Sequence, residues 1–188
     1  NDRYIINTSL DDYSAESVVI ASGGLSIPKM GATGFGYNMA KRFGHTVHPT
    51  TAGLVPFTLQ PDDKAWLAEL SGIAIECVVS NERTSFRENI LLTHRGLSGP
   101  AILQISSYWH AGETVSINLL PDVDIEVLLK TKQQEQPKAH LKTILAEHLP
   151  KRFIAALFDK QLLNQPLQSI SHDRFKILSK QLHQWQIK

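Results

Sequence analysis

The apolar residues of this chain change their spacing near Pro121. Ahead of it, short runs rich in Ile, Val and Leu alternate with turn residues. Tyr4–Leu10 and Ser17–Ser22 read as strands separated by the polar turn Asp11-Asp12-Tyr13-Ser14. Residues 73–80 place Ile73, Ile75, Cys77 and Val79 on one face, the period-two pattern of a half-buried strand. Leu54–Leu59, Ile90–Thr93 and Thr114–Leu120 are further strand candidates. Helices interrupt them: one over 34–43 with Thr33 as cap and Gly44 as stop, one over Asp62–Leu70, and one opened by Pro100.

Beyond Pro121 the spacing becomes helical. Ile125, Leu128 and Leu129 form one stripe, and Leu141, Ile144, Leu145 and Leu149 a second. Phe153, Ile154, Leu157, Phe158 and Leu162 make a third, and Phe175, Leu178, Leu182 and Trp185 a fourth. Pro137, Pro150 and Pro166 fall between stripes, where helices end. The pattern predicts an α+β chain, a β-rich middle followed by a small helical bundle.

With 188 residues the chain can bury a substantial core, as one large domain or two small ones. Its formal charge of +1 advertises neither nucleic-acid nor membrane binding. The segment from 122 onward carries eleven Lys/Arg against seven Asp/Glu. That reads first as a solvated outer face. A nucleic-acid surface is the alternative, without the aromatic-interleaved basic patch that stacks bases. The single cysteine, Cys77, excludes an internal disulfide framework and suits a reducing cytoplasm. No apolar run approaches the ~20 residues of a membrane helix.

The densest chemistry lies in 17–44. Gly23-Gly24 at a strand end lets the backbone approach a flat or charged ligand. Gly31, Gly34 and Gly36 then lead into a helix whose first N–H groups can face an anion. A structural turn and a capped helix explain the same spacing, and neither a Walker loop nor a Gly-x-Gly-x-x-Gly fingerprint is present. His45 and His48 have helical ligand spacing but lie between Gly44 and Pro49, so no metal site is expected. His94-Arg95, at a strand end, either touches a substrate or donates to a backbone carbonyl. Ser98 lacks a nucleophile elbow and reads as a helix cap. Cys77 reads as a buried, inert thiol.

Three stretches carry a resemblance: "VVIASGGLSIPKMGATGFGYNMAKRFGH", "LVPFTL" and "ILLTHRGLSGPAILQISS". On these the chain resembles the BaiN-like family of FAD-dependent oxidoreductases, also called YhiN-like or aminoacetone-oxidase-like bacterial flavoproteins. Such proteins open with a dinucleotide fingerprint and close with a Gly-rich segment, and this sequence holds neither. The resemblance therefore implies an internal fragment, consistent with the missing initiator methionine. Residues 1–45 would be the remnant of a Rossmann-like FAD domain, 46–121 a β-barrel-like insert covering the flavin and substrate, and 122–188 a helical bundle.

By the same resemblance Ser22, Gly23, Gly24, Gly34, Gly36 and Tyr37 bind FAD, and His94 and Arg95 face a small-molecule substrate. Phe35 stands where the family commonly has an acidic residue. No catalytic acid or base is implied. FAD belongs to the parent protein and is not expected to stay with this chain alone, which would be inactive; NAD(P)H is a possible electron donor. The open edges of the remnant are expected to be poorly ordered, repacked or self-associating. Neither a membrane nor a nucleic acid is an expected partner, and a cytoplasmic location follows. The alternative is a non-enzymatic binding module whose basic helical tail contacts nucleic acid or a protein.

Overall fold

The computed structural model describes residues 3–59 and 66–188, and the chain divides into two compact units, Asn1–Thr51 and Ala52–Lys188. In the first, β1 (Tyr4–Asn7) and β2 (Asp12–Ala15) form an antiparallel hairpin, from Tyr4 opposite Ala15 to Asn7 opposite Asp12. The Thr8 hydroxyl builds its turn, accepting from the N–H groups of Leu10 and Asp11 at 3.1 Å each. A 3-10 turn over Pro28–Met30 precedes α1 (Phe35–Arg42). The helix starts on Gly34 without a side-chain cap; Thr33 only accepts a long bond from the Phe35 N–H.

The strand expected at Ser17–Ser22 does not form. Its β-branched residues favour extension, but a strand exists only with a hydrogen-bonded neighbour, and none of the described segments supplies one. Val18, Val19 and Ile20 are exposed, and β1, β2 and α1 bury no residue.

The second unit is built on an antiparallel six-stranded sheet. Its strands are β3 (Phe57–Thr58), β4 (Ala74–Ser80), β5 (Ser85–Thr93), β6 (Gly96–Ser98), β7 (Val115–Asn118) and β8 (Trp185–Ile187). Their spatial order is β3-β6-β5-β4-β7-β8. The alternation read in 73–80 is realised, with Ile75, Cys77 and Val79 buried. The strand expected over 54–59 shrinks to two residues, and the tail, for which the spacing predicts helices, ends in a strand, β8. Trp185 continues a helical stripe, yet α7 ends at His183 and the chain turns to pair Trp185 with Ile117 and Ile187 with Val115.

Among the described residues the unit also holds α2 (Pro100–Ser106), α3 (Ile125–Glu135), α4 (Leu141–Leu145), α5 (Lys151–Leu157), α6 (Lys160–Leu163) and α7 (His172–His183). Residues 66–68 are also helical; the start of the helix expected over Asp62–Leu70 lies outside the described residues. Asp124, Asp159 and Ser171 cap α3, α6 and α7 through their side chains, each accepting otherwise orphaned N–H groups. Sheet and helices share one core. Cys77, Ile90 and Leu92 from the sheet join Ile102, Ile125, Leu141, Phe153, Phe175 and Leu182 from the helices. Trp66, Phe153 and Trp185 meet within it, with ring centroids 6.0–6.3 Å apart.

Candidate functional site

In the first unit the glycine clusters converge on the start of α1. A β-carbon on Gly24 would meet the Tyr37 hydroxyl at 3.7 Å, and one on Gly36 would meet the Ser22 Oγ at 3.3 Å. Four of the six predicted cofactor residues are thus neighbours across one loop. Gly23 has a left-handed φ of 74° and open space where its side chain would be; Gly34 occupies the helix N-cap. The result is an exposed, bare stretch of backbone flanked by two hydroxyls and a helix N-terminus. Backbone N–H groups, hydroxyls and a helix N-terminus of this kind can hydrogen-bond an anionic or hydroxylated ligand.

In the second unit His94 and Arg95 sit at the exposed tip of the β5–β6 hairpin. Thr93 sets the tip: its Oγ1 accepts from the Arg95 and Gly96 N–H groups at 3.3 and 3.1 Å. The Arg95 carbonyl accepts from the Leu59 N–H, and the residues His94 and Arg95 are both exposed. Below the tip, a β-carbon on Gly96 would run into the Phe57 carbonyl oxygen, and one on Gly99 would come within 2.7 Å of Asn89 O and Leu91 N. The "GLSGP" glycines therefore serve close backbone crossing. Ser98 does not cap the following helix as expected: Gly99 is the N-cap and no side chain caps it, while Pro100 does take the first helical position.

The Leu-Val-Pro element hangs on the end of α2. The Leu54 and Val55 N–H groups donate to the hydroxyls of Ser107 and Ser106, at 3.3 and 2.9 Å. Leu54 holds a left-handed φ of 54° while 64% exposed, a costly conformation for a residue with no packing reward there.

Cys77 is buried, and that burial pushes its thiol up to about 12, which removes it as a nucleophile. No group of three or more His, Cys, Asp or Glu that could hold a metal comes together among the described residues. None of their helices is long and apolar enough to cross a membrane.

A cleft of about 520 Å³ lies among α4, α5 and α6, floored by Ala146, Ile154, Ala155 and Leu163 and edged by Lys142, Glu147 and Lys151. Its signal in the sequence was local charge: 137–163 holds five Lys/Arg and only two Asp/Glu, an excess diluted when the whole tail is averaged.

The second unit joins an antiparallel sheet and a capped helical array through one shared core, and it is this part of the chain that the family comparison covers. Residues 51–188 match the family described as HI0933-like protein barrel and H2TH domain, and the chain belongs to that family. It is 57% identical over 143 residues to the ribosomal RNA dihydrouridine synthase of Escherichia coli, covering 76% of this chain and 36% of that protein. It is 39% identical over 186 residues to the Haemophilus influenzae protein of the same name, covering 98% of this chain and 46% of the relative. A 3-dehydro-bile acid delta(4,6)-reductase of Clostridium scindens is 25% identical over 176 residues, covering 86% and 42%. The chain spans less than half the length of these relatives.

These findings correct the resemblance. The family is the HI0933-like one rather than the BaiN-like flavoproteins. Relatives named for making dihydrouridine in ribosomal RNA also displace two functional expectations: the inactive internal fragment of a small-molecule oxidoreductase, and the non-enzymatic binding module. The same names overturn the expectation that nucleic acid is no partner. A whole-chain net charge near zero does not exclude a nucleic-acid partner, because it averages over local charge.

Proposed function

We propose that the protein is a flavin-dependent enzyme that reduces uridine to dihydrouridine in ribosomal RNA. The observation carrying this reading is the 57% identity with the Escherichia coli synthase. Saturating the C5–C6 bond of uracil requires a hydride equivalent and a proton, and a bound flavin supplies hydride chemistry of this kind. NAD(P)H is the proposed source of the electrons.

Ser22, Gly23, Gly24, Gly34, Gly36 and Tyr37 are the proposed flavin-binding residues. The bare backbone of the two glycine clusters admits the cofactor closely, and the Ser22 and Tyr37 hydroxyls orient it. His94 and Arg95 are the proposed substrate-facing residues; the Arg95 guanidinium suits a phosphate or a uracil carbonyl. In this reading residues 1–45 belong to a Rossmann-like flavin domain, 46–121 form the sheet region that approaches the substrate, and 122–188 form the helical region.

The test uses the full gene product, incubated with ribosomal RNA and NADPH or NADH. Dihydrouridine detected by mass spectrometry of the digested RNA supports the reading. Oxidation of the nicotinamide with small molecules alone, and none with RNA, refutes it.

A further inference from the structure

The cleft among α4, α5 and α6 has a lining with a division of labour. Its floor is aliphatic: Ala146 and Leu163 with Ile154 and Ala155. Its rim is cationic, with Lys142 and Lys151 both exposed. Neither lysine forms an ion pair with any described residue; Lys142 Nζ donates only to the neutral Asn164 Oδ1, at 2.6 Å. Elsewhere in the helical region Lys130, Lys132 and Lys176 are each paired with a carboxylate one helical turn away. Of the two acids in 137–163, Asp159 is spent capping α6, which leaves Glu147 alone at the rim.

We propose that this cleft is an RNA-binding site that takes an unpaired base on its aliphatic floor, with adjacent phosphates on Lys142 and Lys151. The inference rests on the reading of the protein as an enzyme of ribosomal RNA and names where that RNA is held. The chemistry matches part by part. A base face is flat and poorly hydrated and gains from apolar contact, which a base inside a duplex cannot make. A phosphate on each side of it needs a flexible point charge, which lysine provides. Glu147 can only accept hydrogen bonds when ionised, so it suits a ribose 2′-hydroxyl or an exocyclic amine and discriminates against a phosphate at that edge. A volume of about 520 Å³ lies within the range of small-ligand clefts.

The test measures binding of a fluorescent single-stranded RNA by the full gene product across a range of KCl concentrations. Three variants are compared with the wild type: Lys142→Ala/Lys151→Ala, Ala155→Trp, and Lys176→Ala as a paired-lysine control. All four positions are exposed, so their melting temperatures should match the wild type. Losing two phosphate contacts should flatten the slope of log affinity against log salt by about 1.4. Ala155→Trp, which fills the floor, should weaken binding several-fold with the slope unchanged. Lys176→Ala should leave both unchanged.

Wild-type affinity and slope in the double-lysine variant would overturn the proposal. So would equal losses in the Lys176→Ala control, or a duplex of the same sequence bound as tightly as the single strand. An acidic peptide as the true occupant would give the first of these results. Dihydrouridine formation by the double-lysine variant, assayed separately, keeps the two readings distinct. Normal product with unchanged RNA affinity removes the cleft and leaves the enzymatic reading standing.

Discussion

The Ser22 hydroxyl rests against Gly36, close enough that a β-carbon there would stand 3.3 Å from its Oγ and 3.7 Å from Ile20 Cγ2. The extended segment after β2 therefore docks on the first turn of α1 through a missing side chain. Gly36→Ala needs a shift of only a few tenths of an ångström and should be tolerated. Gly36→Val should push Ser22 away and lower flavin occupancy about tenfold, equivalent to about 1.4 kcal/mol. Flavin absorbance per mole of purified gene product is the readout. Since β1, β2 and α1 bury nothing, the melting of the sheet-and-helix unit should not change.

Gly99 and Gly112 share a φ of 92° but differ in surroundings. Around Gly112 nothing lies within 4 Å of an added β-carbon, so Gly112→Ala should cost only the backbone penalty, about 1 kcal/mol. At Gly99 the added atom meets the β5 backbone at 2.7 Å, and β5 cannot yield without breaking its pairing. Gly99→Ala should cost about 3 kcal/mol or more. Urea midpoints of the two variants decide this; equal shifts would show that the crossing is looser than described.

His183 ties three elements together. Its Nδ1 lies 2.8 Å from Asn118 Oδ1 at the end of β7, and its Nε2 lies 3.4 Å from the Ile125 N–H at the start of α3. Because Ile125 donates, Nε2 carries no proton and the ring is neutral. Burial lowers its pKa below the ordinary 6.5, against the opposing pull of Asp124. The unfolded chain then binds the proton first, so stability is full above pH 6.5 and declines as pH falls toward the lowered folded value. Urea unfolding at pH 7.5 and 5.5 should show this decline. A His183→Asn variant should start less stable and decline less.

Glu113 accepts two hydrogen bonds from the Arg83 guanidinium, at 2.6 and 2.7 Å, and a third from the His110 N–H at 2.9 Å. The Arg83 bonds, then that N–H, hold its carboxyl down at about 2. The stabilisation is fully present above the ordinary 4.5 and is lost as pH falls through about 2. An NMR titration of the Glu113 carboxyl should show the low midpoint, and Arg83→Ala should return it toward 4.5.

The sequence made the core legible wherever periodicity and burial coincide. Ile75, Cys77 and Val79 alternate, and Leu141, Ile144, Leu145 and Leu149 repeat at helical spacing; all are buried. It misled where pairing is non-local. Ser17–Ser22 has strand composition without a strand partner, and Trp185 has helical spacing but completes a sheet by pairing with Ile117, far away in the chain. Ser98 looked like a cap because serine favours that position, yet Gly99 takes it, since only glycine fits φ 92° against β5. At the candidate site, the glycine clusters were readable as a loop. That Ser22 and Tyr37 close on them, and that Lys142 and Lys151 share a cleft, depends on tertiary placement that spacing does not encode.

Dihydrouridine formation in ribosomal RNA is the activity proposed for this protein. Its most direct test is a map of dihydrouridine in ribosomal RNA from cells with the gene, without it, and with it restored on a plasmid. At least one dihydrouridine should disappear on deletion, leaving unmodified uridine, and return on restoration. An identical dihydrouridine map in all three would contradict it.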